Sequence, residues 1–300
     1  MISVIIPFNN EKENIPSLIK GIRKAFNAKN EPYEIVMVDD GSMDGSDQAI
    51  PQDDSDIRLI RHKKRLGKGR ALSDGYRAST GNSLIFMDAD LQDDPSEIPE
   101  FLKKLEEGYD FVNGWRKERK DPLGKRLSSA IFNFFLLKLF LKSKFHDINC
   151  GFKAMRRAVL EQIPLYGDNY RFLPILAEKN GFKTTEMIVD HHPRVHGASK
   201  YGFFRLFSGF IDTLTTYFVY QFAEKPLHFF GPVGTLIFIL GSGITLYLVY
   251  ERVFFGILLY RRPALLLGIL LVIVGIQIVM TGFLGELIVY LDKRRKNPIH

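Results

Sequence analysis

The first 120 residues alternate short apolar segments with stretches in which apolar residues recur at helical spacing. The short segments are enriched in β-branched residues and predict strands over 2–7, 34–39, 57–62, 83–88 and 110–115. Ile15, Leu18 and Ile22 fall on one face of a helix, and comparable patterns predict helices over 12–27, 68–79 and 95–107. The alternation predicts an α/β fold with a mostly parallel sheet covered by helices on both faces.

Two later segments contain no Asp, Glu, Lys or Arg. They run over 227–250 and 263–285, and each is long enough to cross a bilayer core of about 30 Å as a helix. Buried helices of a soluble protein are the alternative, but such helices are rarely uncharged on every side over this length. We therefore predict two transmembrane helices, at about 227–250 and 263–290, that form a hairpin.

The charges around these spans predict their orientation. A basic tail, Lys-Arg-Arg-Lys over 293–296, follows the second span and is expected in the cytoplasm by the positive-inside rule. The amino-terminal segment has neither the basic nor the long apolar part of a secretory signal, so the residues before the first span are expected in the cytoplasm too. Arginines in the short link 251–262 argue mildly against placing that link outside. A single cysteine, Cys150, excludes an internal disulfide and fits a cytoplasmic domain.

Acidic residues follow two of the predicted strands, where ligands bind in sheets of this kind. The alternating direction of side chains in an extended segment places Asp88, Asp90 and Gln92 on one side. They could share a hard divalent cation, Mg²⁺ or Mn²⁺. The alternative is a solvated acidic loop in which Asp94 caps the helix that begins at Pro95. A single D-x-D motif does not decide between the two.

A set of motifs in a fixed order gives this acidic loop its context. The motifs are PFNNE over 7–11, VDDGS over 38–42, GKGRAL over 67–72, DADLQDDP over 88–95, DINCGFK over 147–153 and RVHGASKY over 194–201. Together they resemble the inverting family 2 glycosyltransferases of the Rossmann-like GT-A fold. The branch that they resemble is the polyprenyl-phosphate glycosyltransferases, the enzymes similar to dolichol-phosphate mannose synthase.

The resemblance extends over nearly the whole chain and has three departures. Bacterial members of this branch also end in two membrane helices, and the second carries a Gly-Glu pair like Gly285-Glu286. Asn9 stands where the family usually has an aromatic residue, and Val289 stands where an Arg usually follows the Gly-Glu pair. Lys153 replaces a common Arg, which keeps the charge but not the planar guanidinium fork.

The resemblance implies a membrane-bound enzyme that moves a hexose or hexose derivative from a UDP- or GDP-sugar to undecaprenyl or dolichyl phosphate. The product would be a β-linked polyprenyl-phosphate sugar for cell-envelope glycans or glycoprotein modification. The alternative is transfer to another glycolipid or to a growing polysaccharide. Processive polysaccharide synthases, however, carry a Q-x-x-R-W-type helix and more than two spans.

The resemblance also implies which residues form the site. Those expected to bind the nucleotide sugar are Pro7, Asn9, Glu11, Asp39, Asp40, Lys68, Asp88 and Ala89. Those expected to bind the lipid phosphate are Arg116, Arg126, Ser129, Arg194 and Lys200. Asp88, Asp90 and Gln92 are the expected metal ligands, and Asp147, Asp90 and Arg116 the expected catalytic residues. A phosphate monoester has a second pKa of about 6, so the acceptor is already nucleophilic at neutral pH, and we favour an orienting role for Asp147 over that of a base.

Three of these residues have plausible structural roles as well. Glu11 could simply complement a helix dipole, and Lys68 could be a solvated loop residue. Arg126 lies among other basic residues that could face a membrane surface.

We predict four parts of the chain. They are a cytoplasmic GT-A catalytic domain over 1–200, an amphipathic interfacial segment over 201–226, the two membrane helices over 227–292 and a basic tail over 293–300. The protein is then a multi-pass protein of the inner or plasma membrane. The resemblance allows a homo-oligomer, a tetramer or a dimer, in which Glu286 pairs with a basic residue of a neighbouring chain.

The net charge of +7 at pH 7 also raises the possibility of a nucleic-acid-binding protein. The basic stretch over 58–70 lacks the interleaved aromatic residues typical of such proteins. We therefore expect no nucleic-acid partner.

Overall fold

The structure is a computed structural model of the 300-residue chain. The described residues are 1–27, 31–51, 54–117, 144–192, 215, 218, 222, 225–258 and 263–296. The chain divides into two compact units, Met1–Thr213 and Leu214–His300.

The described part of the first unit is built on a seven-stranded sheet in the order β3-β2-β1-β4-β6-β5-β7. The strands are β1 Ile2–Phe8, β2 Tyr33–Asp39, β3 Ile57–Arg61, β4 Ser83–Phe86, β5 Phe111–Trp115, β6 Lys153–Arg156 and β7 Thr184–Ile188. β1 pairs in parallel with β2 and β4, β2 with β3, and β5 with β7, whereas β6 is antiparallel to both of its neighbours. The prediction of a mostly parallel sheet is confirmed.

The five predicted strands all form, but the sequence did not predict β6 or β7. Both are short and carry charged or hydroxyl side chains within the strand, so neither shows the apolar run that marks the others. β6 forms because it fills the space between β4 and β5. Pairing with β4 and β5 thus outweighs the weak preference of the β6 residues for a strand.

Helices cover both faces of the sheet. They are α1 Ile15–Asn27, α2 Lys68–Ala78, α3 Ile98–Glu106, α4 Arg157–Gln162 and α5 Leu173–Lys179. Val4 and Ile6 of β1 share a buried apolar cluster with residues of α1 and α3. Ile5 points to the other face, where α2 packs so closely that a Cβ added to Gly75 would lie 2.5 Å from the Ile5 Cγ2 atom.

The second unit contains two long apolar helices, α6 Leu227–Phe255 and α7 Pro263–Lys296. Spans of 29 and 30 residues have mean hydropathies of 1.9 and 2.7, and only 17% and 11% of the most apolar windows are buried. Core helices of a soluble protein would be mostly buried, so the composition and exposure fit a membrane hairpin. The predicted interfacial segment over 201–226 lies mostly outside the described residues.

Glycines let the two helices approach closely in antiparallel fashion. A Cβ on Gly234 would lie 2.7 Å from the Gly275 carbonyl oxygen, and one on Gly241 would lie 2.7 Å from the Gly268 carbonyl oxygen. Small residues at such positions give membrane helices the close packing that replaces a hydrophobic driving force.

The Gly285-Glu286 pair closes the end of the hairpin where α6 begins. A Cβ on Gly285 would lie 2.8 Å from the Pro226 Cβ atom. The Glu286 Oε2 atom accepts a hydrogen bond of 3.4 Å from the backbone N–H of Leu227. The carboxylate therefore lies at the positive end of α6, where a negative charge is stabilising. Pairing of Glu286 with a neighbouring chain stays a prediction.

Replacing Gly275 by valine should destabilise the hairpin, because the new Cβ would meet backbone atoms of Phe238 at 2.6 to 2.8 Å. We expect a cost of about 1–3 kcal/mol for such overpacking, seen as a lower Tm in detergent. Gly243→Val is the matched control, because a Cβ there meets no atom within 4 Å. Equal Tm values for the two variants would contradict this account.

Candidate active site

Most of the candidate donor-binding and metal-binding residues lie at the carboxyl ends of three neighbouring parallel strands. β1 ends at Phe8, β2 ends at Asp39, and β4 leads into the acidic loop 88–94. From β1 the chain runs to β2 and β3 on one side, and it then returns to place β4 on the other side of β1, so the strand order reverses here. Crevices for ligands form at such a switch point.

The loop after β1 is tied to the loop after β2. The Asn9 side-chain amide donates a hydrogen bond of 2.9 Å to the Asp40 carbonyl oxygen. Asn10 has a positive φ of 58°, and its side-chain oxygen accepts a bond of 2.8 Å from the Met43 N–H. Glu11 accepts a bond of 2.6 Å from the Asn14 side-chain amide. Pro7 lies buried within β1, and donor binding by the residues over 7–11 stays a prediction.

The two aspartates of the VDDGS motif have different surroundings. Asp39 is 5% exposed, and its Oδ1 atom accepts a bond of 2.8 Å from the Ser42 N–H. Both carboxylate oxygens of Asp40 accept bonds from the protein itself, from the N–H groups of Leu66 at 2.7 Å and Gly67 at 2.9 Å. Asp40 therefore shapes the loop that begins α2.

His62 is a residue that the sequence reasoning missed at this point. Its Nδ1 atom lies 3.0 Å from the Asp40 Oδ1 atom, and its Nε2 atom lies 3.2 Å from the Asp74 Oδ2 atom on α2. The imidazole thus joins the end of β2 to the body of α2. A lone histidine after a basic strand gives no sequence signal for such a contact.

Lys68, the first residue of α2, forms an ion pair with Asp88 at the end of β4. Its Nζ atom also lies 5.3 Å from the ring centroid of Tyr170. Burial lowers the pKa of Lys68, but the Asp88 carboxylate outweighs it and the net pKa is raised. Conversely, burial raises the pKa of Asp88, and Lys68 brings it below its usual value. Lys68 is therefore not a solvated loop residue.

The acidic loop crowds several carboxylates together. Asp90 is 8% exposed and accepts a bond of 3.2 Å from the Gln92 N–H, while Leu91 adopts a positive φ of 57°. Burial raises the pKa of Asp93 to about 7, and Asp88 and Asp90 add to the rise. Asp94 accepts a bond from the Ser96 N–H and caps the turn that Pro95 begins, as the structural alternative predicted.

The donor set of this loop fits a hard divalent cation. In the described part of the chain, no three His, Cys, Asp or Glu side chains converge into a complete metal cage. Mg²⁺ is usually held by one or two carboxylates together with substrate phosphates, so a complete cage is not needed. Asp88 and Asp90 both raise the pKa of Asp93, and a bound cation would offset this repulsion between carboxylates. Asp88, Asp90 and Gln92 stay the predicted ligands.

The acidic loop is also held by the segment that follows β7. The Gln92 Nε2 atom lies 3.3 Å from the His191 Nε2 atom, and the Gln92 carbonyl accepts a bond of 2.9 Å from the His192 N–H. Asp93 and His191 form an antiparallel bridge. The sequence reasoning did not select His191. Arg194 and Lys200, which follow it in the chain, lie outside the described residues.

Arg116 and Asp147 form a bidentate ion pair. The Arg116 Nε and Nη2 atoms lie 2.7 and 3.1 Å from the two carboxylate oxygens of Asp147, and the side chains are 12% and 5% exposed. Burial lowers the pKa of Arg116, but Asp147 outweighs it and the net pKa is raised. Both residues were predicted to be catalytic, and Arg116 also to bind the lipid phosphate, but their direct pairing was not predicted. Arg126 and Ser129 lie outside the described residues.

The backbone of Asp147 is fixed from two strands. The Asn113 side-chain amide of β5 donates a bond of 2.7 Å to the Asp147 carbonyl oxygen. The Glu186 carboxylate of β7 accepts bonds from the N–H groups of His146 at 2.8 Å and Asp147 at 3.4 Å. Asp147 is thus oriented by its surroundings rather than by its own loop alone.

Comparison with protein families gives one match that covers more than half of the chain. The profile described as Glycosyl transferase family 2 matches residues 3–164. A dodecaprenyl-phosphate galacturonate synthase from Rhizobium johnstonii is 31% identical over 294 residues, which cover 96% of this chain and 87% of that protein. An undecaprenyl-phosphate 4-deoxy-4-formamido-L-arabinose transferase from Photorhabdus laumondii is 34% identical over 302 residues, with 98% and 91% covered.

Solved structures show the same fold. A glucosyl-3-phosphoglycerate synthase from Mycobacterium tuberculosis, in complex with Mn²⁺ and UDP-glucose, matches with a TM-score of 0.57 at 21% identity. That match covers 72% of this chain and 78% of the other. A mannosyltransferase from Pyrobaculum calidifontis, in complex with GDP-mannose and Mn²⁺, matches with a TM-score of 0.51 at 19% identity and covers 73% and 63%. At these identities the likeness shows the fold alone, and it confirms the predicted GT-A fold.

Replacing Arg116 by lysine should destabilise the first unit, because an ammonium cannot reproduce the two parallel bonds to Asp147. We expect Tm to fall by roughly 3–10 °C, corresponding to about 1–3 kcal/mol for a charged hydrogen bond. Arg77→Lys is the control, because its side chain is 68% exposed and 3.9 Å from Asp74. A fall of the same size in the control would show that the Arg116 pair is unimportant.

Proposed function

The chain belongs to glycosyl transferase family 2, and we propose that it transfers a hexose or hexose derivative from a nucleotide sugar to polyprenyl phosphate. One observation carries the proposal. The relatives that act on dodecaprenyl and undecaprenyl phosphate match this chain over both of its units, the GT-A unit and the apolar hairpin. The chemistry of the crevice supports it, because its paired charges divide into two groups with separate tasks.

The first group would bind the donor. Asp39 is a buried carboxylate at a strand end and can accept hydrogen bonds from a base N–H or a ribose hydroxyl. Lys68 lies at the start of α2, where backbone N–H groups favour anions, and can contact the diphosphate. A divalent cation held by Asp88, Asp90 and Gln92 would supply positive charge for the departing diphosphate. Mg²⁺ and Mn²⁺ both suit these ligands.

The second group would bind the acceptor. The acceptor phosphate is largely a dianion at neutral pH, so it can attack without a strong base. Arg116 would hold it, and Asp147 would fix the guanidinium in one orientation. Arg126, Ser129, Arg194 and Lys200 complete the proposed phosphate-binding set.

The reaction forms one bond and breaks one. A phosphate oxygen of the lipid attacks C1 of the sugar, and the bond between C1 and the leaving nucleoside diphosphate breaks. Attack from the face opposite the leaving group inverts the configuration at C1. An α-linked donor therefore gives a β-linked polyprenyl-phosphate sugar.

The apolar hairpin would anchor such an enzyme at the membrane that holds its acceptor. A polyprenyl chain stays in the bilayer, so the enzyme must work at the membrane surface. We propose that the protein is a multi-pass protein of the inner or plasma membrane with its catalytic unit in the cytoplasm. The four-part division of the chain and the homo-oligomer predicted from the sequence belong to the same proposal.

The test uses membranes that contain the protein, with undecaprenyl phosphate and Mg²⁺ or Mn²⁺. A panel of radiolabelled UDP- and GDP-linked sugars is supplied, including uronic acid and formamido-arabinose donors. We expect label to enter the organic phase from one donor and to stop when a chelator is added. Transfer from no donor, or transfer to another glycolipid or to polysaccharide instead, would overturn the proposal.

Asp90→Asn should lower kcat roughly 100-fold or more, because it removes a charge from the predicted cation site. The steady-state rate of label transfer measures the effect. Asp56→Asn, at an exposed position remote from the crevice, is the matched control and should keep full activity. An active Asp90→Asn variant would remove Asp90 from the site.

A further inference from the structure

Lys153 is a fully buried lysine whose three donors match three oxygen acceptors. It is 2% exposed at the first position of β6. Its Nζ atom donates to the Asn113 side-chain oxygen at 3.0 Å, to the Ile148 carbonyl at 3.1 Å and to the Cys150 carbonyl. Among the residues that the structure describes, Lys153 forms no ion pair with a carboxylate. The carboxylates of Asp147 and Asp88 act on the ammonium from beyond ion-pair distance, so the three oxygens are its direct partners. Leaving a buried charge without its partners is strongly destabilising.

We propose that Lys153 is a positioning residue that couples the donor side of the crevice to the acceptor side. Its ammonium fixes the loop 147–151, which carries Asp147 at one end and Gly151 at the other. This inference rests on the proposed function, because it assigns Lys153 a role in that reaction.

The acceptor end of the loop is fixed through Asn113. The Asn113 side-chain oxygen accepts from Lys153 while its amide group donates to the Asp147 carbonyl at 2.7 Å. Lys153 thereby sets the orientation of the Asn113 amide, since the oxygen must face the ammonium. That orientation of the Asn113 amide fixes the position of the Asp147 backbone. The position of the Arg116 ion pair depends on it in turn.

The donor end of the loop is fixed by packing. A Cβ added to Gly151 would lie 2.6 Å from the Asp88 Oδ2 atom, so the loop backbone lies directly against the Asp88 carboxylate. A shift of the loop would move this wall away from Asp88 and from its partner Lys68. One buried ammonium therefore holds both ends in register.

The charge state of Lys153 can be tested through the pH dependence of kcat. A purely structural role for the side chain would leave that pH dependence unchanged. Burial lowers the pKa of Lys153 to about 8. A neutral amine would turn a lone pair towards one of the three acceptors and lose that bond. The direct partners of the ammonium are the Asn113 amide on β5 and the Ile148 and Cys150 carbonyls. The titratable groups that act on it are the Cys150 thiol and the charges of Asp147, Arg116, Lys68 and Asp88. Burial raises the pKa of the Cys150 thiol to about 12, so the thiol stays protonated across the range tested.

The experiment measures transfer from the active donor to undecaprenyl phosphate between pH 6.5 and 10. It uses the full-length wild type, Lys153→Arg and Lys153→Met. The wild-type kcat should fall above about pH 8. Lys153→Arg should lower kcat about tenfold at pH 7, because a planar fork does not match three converging acceptors, and should lose the alkaline fall because arginine stays charged. Lys153→Met should lower kcat at least 100-fold with each KM within threefold.

The controls are Lys103→Arg and Lys103→Met, at a side chain of α3 that is 60% exposed. Both should keep the wild-type rate and pH profile. The proposal is overturned if Lys153→Met keeps more than half of the wild-type kcat, or if the alkaline fall persists unchanged in Lys153→Arg. An inactive wild type with every donor would instead refute the proposed function.

Thermal unfolding tests the buried ammonium without any activity. The folded pKa of Lys153, about 8, lies below the ordinary value of 10.5, so the unfolded chain binds more protons between these values. The Tm of the wild type, relative to Lys153→Met, should therefore rise by several degrees from pH 8 to 10.5. A difference that does not change with pH would contradict the buried ammonium on which the coupling depends.

Discussion

Charged groups buried at the edge of a sheet each need a polar partner, because taking a charge out of water costs several kcal/mol. This constraint organises the crevice. Lys68 pairs with Asp88, Arg116 pairs with Asp147, and Lys153 is surrounded by carbonyl-type oxygens. The partners come from different strands and loops, so satisfying the charges also fixes how these segments lie relative to one another.

The same contacts position the two cationic side chains of the proposed site, Lys68 and Arg116. Asp40 and His62 build the start of α2, so that Lys68 meets Asp88 at a defined place. Asn113 and Glu186 hold the backbone of Asp147, so that Arg116 presents its guanidinium in one orientation. These supporting contacts thus decide where the charged side chains of the proposed site lie. Precise placement of this kind is what reactions with little covalent chemistry require of a protein.

In the second unit, glycines and Glu286 hold the helices α6 and α7 together. Lipid is as apolar as the side chains of α6 and α7, so burial of apolar surface does not drive the helices together. Glycines at the contacts let the backbones approach instead, and Glu286 accepts from an N–H group at the start of α6 that has no partner within the helix. The Gly-Glu pair found in the sequence therefore has a local structural role in closing the hairpin.

The sequence by itself determined the fold class, the two apolar helices and the positions of the acidic residues at the strand ends. The fold class and the two helices could be predicted because periodicity and length are local properties of the chain. The order of the motifs then indicated the family. Tertiary structure decided which charges meet. Strand β6 forms only because two neighbours pair with it, and it carries Lys153 into the interior. Likewise, nothing in the chain near Arg116 indicates a partner 31 residues away, and nothing near His62 indicates Asp40 and Asp74. Such contacts depend on which distant segments pack together. Packing is a property of the whole folded chain and not of the local sequence.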